Sequence, residues 1–123
     1  MKLPTTILLP EPVGVNRLHG ARRTGKRRYR TPKYEAWIEE AGWEIRLQKP
    51  EPIKGKYRLC VEISDRSRKD ADAVLKATAD LLVAHRITDD DALCIEVTAW
   101  KVDTVERGRC RVTVWPAGEM NVV

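Results

Sequence analysis

Residues that build zinc sites and disulfide frameworks are scarce in this sequence. It contains two histidines and three cysteines among 123 residues. Cys60, Cys94 and Cys110 are odd in number and lack the Cys-x-x-Cys spacing of a zinc knuckle, and the histidines are not spaced to share a metal ion. We therefore expect the cysteines to be small apolar residues of a reducing compartment.

Long hydrophobic runs are also absent. The N-terminal apolar stretch covers only Thr5 to Pro10 before Glu11 interrupts it, and no run of 18 apolar residues exists. We therefore expect neither a spanning helix nor a signal peptide, no membrane partner, and a cytoplasmic, soluble protein. The length and the 42% hydrophobic content predict one small domain, residues 1–123, with a single core.

Acidic residues are missing from one segment and concentrated in another. Residues 17 to 33 carry eight of the 23 lysines and arginines and no acidic residue, whereas seven of the eight aspartates lie between positions 65 and 91. A protein that only binds nucleic acid gains from the basic segment but not from the acidic one, because carboxylates repel phosphates. A metal-dependent enzyme that acts on phosphates would use both.

Hydrophobic periodicity predicts an α+β fold with the order β-α-β-α-β-β. This order favours a mixed sheet of about four strands with two main helices packed on it. A basic loop at about residues 11–31 has no apolar period and is expected to be exposed, and the last two strands are expected to form a hairpin. The predicted strands cover 3–10, 57–64, 93–100 and 110–114, and the predicted helices run from Thr31-Pro32 to before Pro50 and from 70 to 84.

Four charged residues surround the start of the predicted second helix. Asp72, Lys76 and Asp80 repeat every four residues, and Asp70 stands just before them. One of the first two aspartates could be an ordinary N-cap that contributes about 1 kcal/mol, and Lys76 could simply pair with its neighbours for about 0.3–0.5 kcal/mol per pair. A single cap does not need two aspartates, however, so stability alone is a weak reason for the pattern.

Residues 89 to 91 are three adjacent aspartates that directly precede a predicted strand. On its own, such a run is a solvated turn. If that strand lies beside the preceding one, Asp91 returns near Asp70 and Asp72. Three converging carboxylates without histidine or thiolate would suit Mg²⁺ or Mn²⁺, and Lys76 nearby could stabilise the charge of a phosphorane-like transition state.

The segment Arg68–Leu81, RKDADAVLKATADL, followed by Asp90-Asp91, resembles the motif of the RusA family of Holliday junction resolvases. That motif reads R-x-D-x-D-N-x-x-K-x-x-x-D-x-L and is followed by an Asp-Asp pair. The opening LPEP at residues 9–12, Asn16-Arg17 and the later YRTPKY are similar to the N-terminal part of the family. The resemblance covers nearly the whole chain, which is identified as a RusA-like nuclease domain.

This resemblance implies a homodimeric endodeoxyribonuclease, often carried by phages and prophages, that acts in recombination and repair. It would resolve four-way branched DNA by paired symmetric cuts, with Mg²⁺ as its cofactor and Mn²⁺ as a possible substitute. By matching position, Asp70, Asp72 and Asp91 would be the metal-binding catalytic carboxylates and Lys76 an essential basic residue. The residues that would support them are Asp80 and Asp90.

The basic segment fits contacts with the DNA backbone, because arginine and lysine neutralise phosphates without reading sequence. The alternative interpretation is a solubilising or disordered arm. The residues expected to bind DNA are Asn16, Arg17, Arg22, Arg23, Lys26, Arg27, Arg28, Arg30, Arg68 and Lys69.

Three of the four tryptophans are predicted on the less buried sides of their elements. Trp37 falls on the apolar face of the first helix, whereas Trp43, Trp100 and Trp115 do not. Because aromatic residues are enriched at protein interfaces, the outward tryptophans favour a homodimer contact.

Ala73 stands where the family motif has asparagine. An amide there could hold a carboxylate or a metal-bound water, and loss of such a contact commonly costs about 10–100-fold. Three functions therefore stay open, namely a Mg²⁺-dependent junction resolvase, a branched-DNA-binding protein that does not cut, and a metal-dependent nuclease for another structured nucleic acid. The resemblance favours the first.

Overall fold

A computed structural model describes residues 3–21 and 28–117 of the chain. Single turns of 3₁₀ helix lie at Val15–Arg17, Ala71–Val74 and Asp91–Leu93. The strands are β1 (Thr5–Pro10), β2 (His19–Ala21), β3 (Arg28–Arg30), β4 (Tyr57–Ser64), β5 (Cys94–Val102) and β6 (Arg109–Pro116), and the helices are α1 (Pro32–Gln48) and α2 (Leu75–Ala84).

The main sheet is mixed and has the strand order β1-β6-β4-β5. Strand β5 runs parallel to β4, while β6 pairs antiparallel with both β1 and β4. The predicted α+β class with about four strands and two helices is confirmed. The predicted hairpin of the last two strands is wrong, because the six residues 103–108 carry the chain across β4 before β6 begins, whereas hairpin loops usually have two to five residues.

Helix α1 begins and ends where its sequence predicts. The hydroxyl of Thr31 accepts a hydrogen bond from the Tyr34 N–H at 3.3 Å, and Pro32 occupies the first turn, where its missing N–H costs nothing. Lys49 ends the helix in the left-handed conformation at φ 50°. Apolar side chains on one face of the helix are buried, and among them the indole of Trp37 donates to the Pro10 carbonyl at 2.9 Å.

One hydrophobic core lies between the main sheet and the two helices. Strands β4 and β6 alternate buried and partly exposed side chains, which is the pattern of strands with only one covered face. The side chains of Cys110, Val112 and Val114 in β6 are buried in this core. Burial raises the pKa of the Cys110 thiol to about 12. All three cysteines are free. No helix in the described ranges is long and apolar enough to cross a membrane.

Helix α2 ends against α1 through a close contact that a glycine permits. His85 ends α2, and its backbone N–H bonds to the Leu81 carbonyl. A Cβ on Gly42 of α1 would lie 3.1 Å from the imidazole of His85, so a larger residue would require that imidazole to shift by a few tenths of an ångström. Burial lowers the pKa of this histidine, and the nearby Arg46 lowers it further.

The basic loop at about 11–31 is more ordered than its composition predicts. Val13 and Leu18 are buried in the core, and β2 and β3 form a short antiparallel ribbon. Thr31 closes the base of this ribbon, because its N–H bonds the Leu18 carbonyl and its hydroxyl donates to the Arg17 carbonyl at 2.6 Å. The expectation of a fully exposed loop is therefore wrong at its base; residues 22–27 lie outside the described residues.

Helix α1 is tied to β6 by a two-pronged ion pair between Glu44 and Arg109, with distances of 2.7 and 2.8 Å. These hydrogen bonds hold the pKa of the Glu44 carboxyl below its ordinary 4.5. A carboxyl with a lowered pKa in the folded state stabilises that state above the unfolded pKa. The stabilisation is lost as the pH falls through the folded value.

We expect Glu44→Gln to lower the free energy of unfolding by about 1–2 kcal/mol at pH 7. The difference from the wild type should shrink as the pH falls below 4.5. Urea unfolding at pH 7 and below pH 4.5 would measure this difference in the free energy of unfolding. Glu39→Gln, on the exposed side of the same helix, is the control, and we expect it to change the free energy of unfolding by no more than about 0.5 kcal/mol. Equal losses in both variants would contradict this role of Glu44.

Candidate catalytic site and nucleic-acid interface

Asp70 directly precedes the second helical segment, but its side chain does not cap that segment. The segment begins as the 3₁₀ turn Ala71–Val74 and continues as α2. Asp70 occupies the N-cap position in extended conformation, but only its backbone carbonyl is used, by the Ala73 N–H at 3.1 Å. The interpretation of this carboxylate as a helix cap is therefore wrong, and the exposed Asp70 side chain has no hydrogen bond or ion pair with another described residue.

Only part of the predicted charge ladder is formed. Lys76 Nζ lies 3.1 Å from Asp80 Oδ1, and this hydrogen bond and the charge of Asp80 raise the pKa of Lys76. Asp72, four residues before Lys76, forms no ion pair within the described ranges. A 3₁₀ turn has three residues per turn instead of 3.6, so it rotates Asp72 off the stripe that continues along α2. The carboxylate of Asp72 is exposed and available.

The three adjacent aspartates have different environments. Asp89, which has no counterpart in the motif, is bound within the fold, because its carboxylate accepts the Gly55 N–H at 3.2 Å and lies 3.6 Å from Lys54 Nζ. Asp90 accepts the Ala92 N–H at 3.0 Å. This backbone hydrogen bond and the neighbouring Asp91 lower the pKa of the Asp90 carboxyl. Asp90, which was predicted to support the catalytic residues, thus caps the turn that contains Asp91.

Asp91 lies within electrostatic range of Lys76. Its charge contributes to the raised pKa of Lys76, after the larger effect of Asp80. Within residues 3–21 and 28–117, however, no three carboxylate, imidazole or thiolate groups are close enough to hold one metal ion. The convergence of Asp70, Asp72 and Asp91 as a ready-made cage is not observed, and their role as metal ligands stays a prediction.

The donor chemistry of these exposed aspartates nevertheless fits Mg²⁺. Their oxygens are the hard ligands that this ion prefers, and proteins usually hold Mg²⁺ through one or two carboxylates together with water and substrate phosphate oxygens. A three-residue cage is therefore not required. Asp72 and Asp91 flank Lys76 along the chain and could supply such ligands.

A small pocket of about 250 Å³ joins basic and acidic residues of the predicted motifs. Asn16 and Arg17 border it on one side, and Arg68 and Asp70 on the other. Ala73, the position where the motif has asparagine, also lines the pocket. Its Cβ lies 3.9 Å from the point that a Cβ on Gly14 would occupy. Residues far apart in sequence are thus brought together around Asp70.

Glu11 holds this pocket in place, a role that the sequence did not reveal. Lys69, which was expected to bind DNA, places its Nζ 2.7 Å from Glu11 Oε2. The other carboxylate oxygen of Glu11 is buried without a hydrogen-bond partner in the described part of the chain. Its position inside the LPEP segment was the available signal. Glu11 therefore fixes the segment that leads into Asp70.

The remaining predicted DNA contacts are only partly described. Arg22, Arg23, Lys26 and Arg27 lie outside the described residues, and only the backbone of Arg28 is described. The guanidinium of Arg30 lies 5.9 Å from the ring centre of the buried Tyr34. This cation–π contact holds Arg30 at the base of the ribbon with its surface exposed.

Comparison with known protein families identifies a match over most of the chain. The family described as "Endodeoxyribonuclease RusA" matches residues 10–115, which include both acidic segments, the pocket residues and most of the sheet. A comparison with curated proteins gives no match.

Proposed function

The chain belongs to the RusA endodeoxyribonuclease family, and from this premise we propose that it is a Mg²⁺-dependent nuclease that resolves four-way DNA junctions in recombination and repair. The observation that carries the proposal is the pocket in which Asn16, Arg17 and Arg68 surround Asp70. Arginines beside a carboxylate suit a substrate that is both a polyanion and the target of hydrolysis.

Each side chain of the site has a defined task in this proposal. Arg17 and Arg68 bind backbone phosphates and bring one phosphodiester to the exposed carboxylates. Asp70, Asp72 and Asp91 would hold Mg²⁺, which when bound polarises water and neutralises phosphate charge. Lys76 is an ammonium at neutral pH, and Asp80 raises its pKa further, so it presents a fixed positive charge to the phosphate oxygens.

The substrate also supports two broader proposals. A four-way junction is symmetric, so two copies of the chain related by a two-fold axis would cut it in matching strands. An enzyme of chromosomal or phage DNA would act in the cytoplasm.

Cleavage of a labelled four-way junction beside the matching linear duplex tests the proposal. We expect paired symmetric nicks in the junction with Mg²⁺, none with EDTA, and little cutting of the duplex. Tight junction binding without nicks in both Mg²⁺ and Mn²⁺ would replace the nuclease by a binding protein. Equal cutting of junction and duplex would instead indicate a nuclease for another structure.

Ala73→Asn tests whether the missing amide limits activity. The new amide would enter the pocket beside Asp70, and we expect the single-turnover cleavage rate to rise about 10-fold or more, because supporting contacts of this kind are commonly worth about 10–100-fold. Ala71→Asn, two residues earlier in the same 3₁₀ turn, is the matched control and should not raise the rate. An unchanged rate in Ala73→Asn would show that this chain does not use an amide here.

A further inference from the structure

The chain between α1 and β4 contacts both ends of the turn that carries Asp91. Before the turn, the Ile53 N–H bonds to the Ile87 carbonyl at 2.8 Å. After the turn, Tyr57 at the start of β4 pairs with Cys94 at the start of β5. The two ends of the turn are therefore attached to one short stretch of backbone.

This stretch, residues 53–57, is here called the anchor segment, and it is fixed in the core. The side chains of Ile53, Ile87 and Tyr57 are at most 4% exposed. Thr88, which forms an isolated parallel bridge with Ile53, is 1% exposed. Because both partners are buried, the anchor segment is a rigid support for the exposed turn beside it.

The side chain of Asp89 ties the turn to the anchor segment. Its Oδ2 accepts the Gly55 N–H at 3.2 Å, and its Oδ1 lies 3.6 Å from Lys54 Nζ. Gly55 has φ 75°, in the left-handed region that favours glycine. Both oxygens of the carboxylate thus face a donor of the anchor segment. An ammonium beside a carboxylate repels a divalent cation, so these contacts favour a structural link over a metal ligand.

Asp91 follows this link by two residues and is exposed. Between them, Asp90 accepts the Ala92 N–H at 3.0 Å with its side chain and the Leu93 N–H at 3.1 Å with its carbonyl. The backbone of Asp91 is therefore held on both sides. Within the described ranges no three ligand groups are close enough to hold one metal ion. The affinity for a metal ion then depends on how firmly each carboxylate is held before the ion binds.

We propose that Asp89 is a positioning residue for Asp91, which it holds in place for the metal ion by tying the turn to the anchor segment. This inference rests on the proposed function, in which Asp91 binds Mg²⁺. Asp89 acts on the backbone that carries the ligand and not on the ligand itself. We therefore expect its loss to cost about 10-fold in metal affinity, the lower end of the usual range for supporting contacts.

Mn²⁺ binding to the full-length protein without DNA tests the inference, with the free ion followed by electron paramagnetic resonance. Asp89→Ala removes both contacts and should weaken Mn²⁺ binding about 10-fold. Asp89→Asn keeps an oxygen that accepts the Gly55 N–H, so its affinity should stay within about twofold of the wild type, because the exposed ion pair with Lys54 contributes little. In an Asp91→Asn background, Asp89→Ala should cause no further loss, because its effect acts through Asp91. Asp103→Ala, at an exposed aspartate after β5, is the matched control and should bind Mn²⁺ like the wild type.

Backbone order parameters of the Ala92 and Leu93 amides, measured by NMR on the metal-free protein, give a readout that needs neither metal nor activity. We expect about 0.85 in the wild type, as in rigid backbone, and a fall toward about 0.6 in Asp89→Ala. Gly55→Ala should have the same effect from the other side of the contact, because it places a side chain on a residue with φ 75°. Gly108→Ala is the matched control, because Gly108 has φ 85° and equally open surroundings. Circular dichroism would verify that each variant is folded.

The outcomes separate the inference from the proposed function. Equal weakening of Mn²⁺ binding in Asp89→Asn and Asp89→Ala would make the charge of Asp89 the active feature and overturn the positioning role. A turn that stays rigid in Asp89→Ala, or an unchanged Mn²⁺ affinity, would also overturn it. The expected Mn²⁺ affinities in a protein that never cuts the junction would overturn only the proposed function. A wild type that binds no Mn²⁺ would overturn both the metal role of Asp91 and the inference built on it.

Discussion

Replacing Asp72 by asparagine is expected to abolish junction cleavage while leaving junction binding intact. The substitution keeps the size of the side chain and removes the charge by which it would hold a divalent cation. Loss of roughly 4 kcal/mol of metal-dependent stabilisation corresponds to a rate reduced at least ~10³-fold. Asp72 is exposed and forms no ion pair with a described residue, so the fold should not change. Removing a negative charge near phosphates should leave DNA affinity equal or several-fold higher.

Single-turnover cleavage in Mg²⁺ and junction affinity in EDTA measure the two effects separately. Asp103→Asn, an exposed aspartate after β5, is the matched control and should retain wild-type cleavage. A variant of Asp72 that loses binding together with cutting would indicate a structural role. Cleavage within tenfold of the wild type would remove Asp72 from the catalytic residues.

The sequence predicts the catalytic segment because its signal is local. The order of polar residues from Arg68 to Asp80 is visible along the chain, and α2 places Lys76 beside Asp80 through helical spacing alone. The 3₁₀ start of the segment was not predictable, because the few residues of a 3₁₀ turn carry little periodicity. For this reason Asp72 was expected to pair with Lys76, and it does not.

Pairings between distant parts of the chain were less predictable. Periodicity identifies β4, β5 and β6, but it does not reveal which strands become neighbours. Strand β6 lies between β1 and β4 and forms hydrogen bonds with both, so its place in the sheet depends on two strands that are distant in the sequence. The contact between Glu11 and Lys69 likewise joins two segments that are 58 residues apart. Such contacts form only when the whole core is assembled.

Truncation of Lys76 to alanine is expected to reduce junction cleavage by about 10²–10³-fold, the usual effect of removing one donor to developing charge in a transition state. The structure supports a charge role, because 54% of the Lys76 side chain is exposed and its amine is protonated at neutral pH, with a pKa that Asp80 raises further. An ordinary ion pair at this spacing would contribute only about 0.3–0.5 kcal/mol to stability, too little to explain such a loss.

Asp80→Asn distinguishes the two roles of Lys76. It breaks the same ion pair but leaves the ammonium in place, so we expect a cleavage rate within about tenfold of the wild type and an unchanged free energy of unfolding to within about 0.5 kcal/mol. If both variants lost activity equally, the pair itself would be the functional unit, and Asp80 would orient Lys76 toward the phosphate. If neither lost activity, the site would need no lysine, and Arg17 and Arg68 at the pocket edge would be left to contact the reacting phosphate.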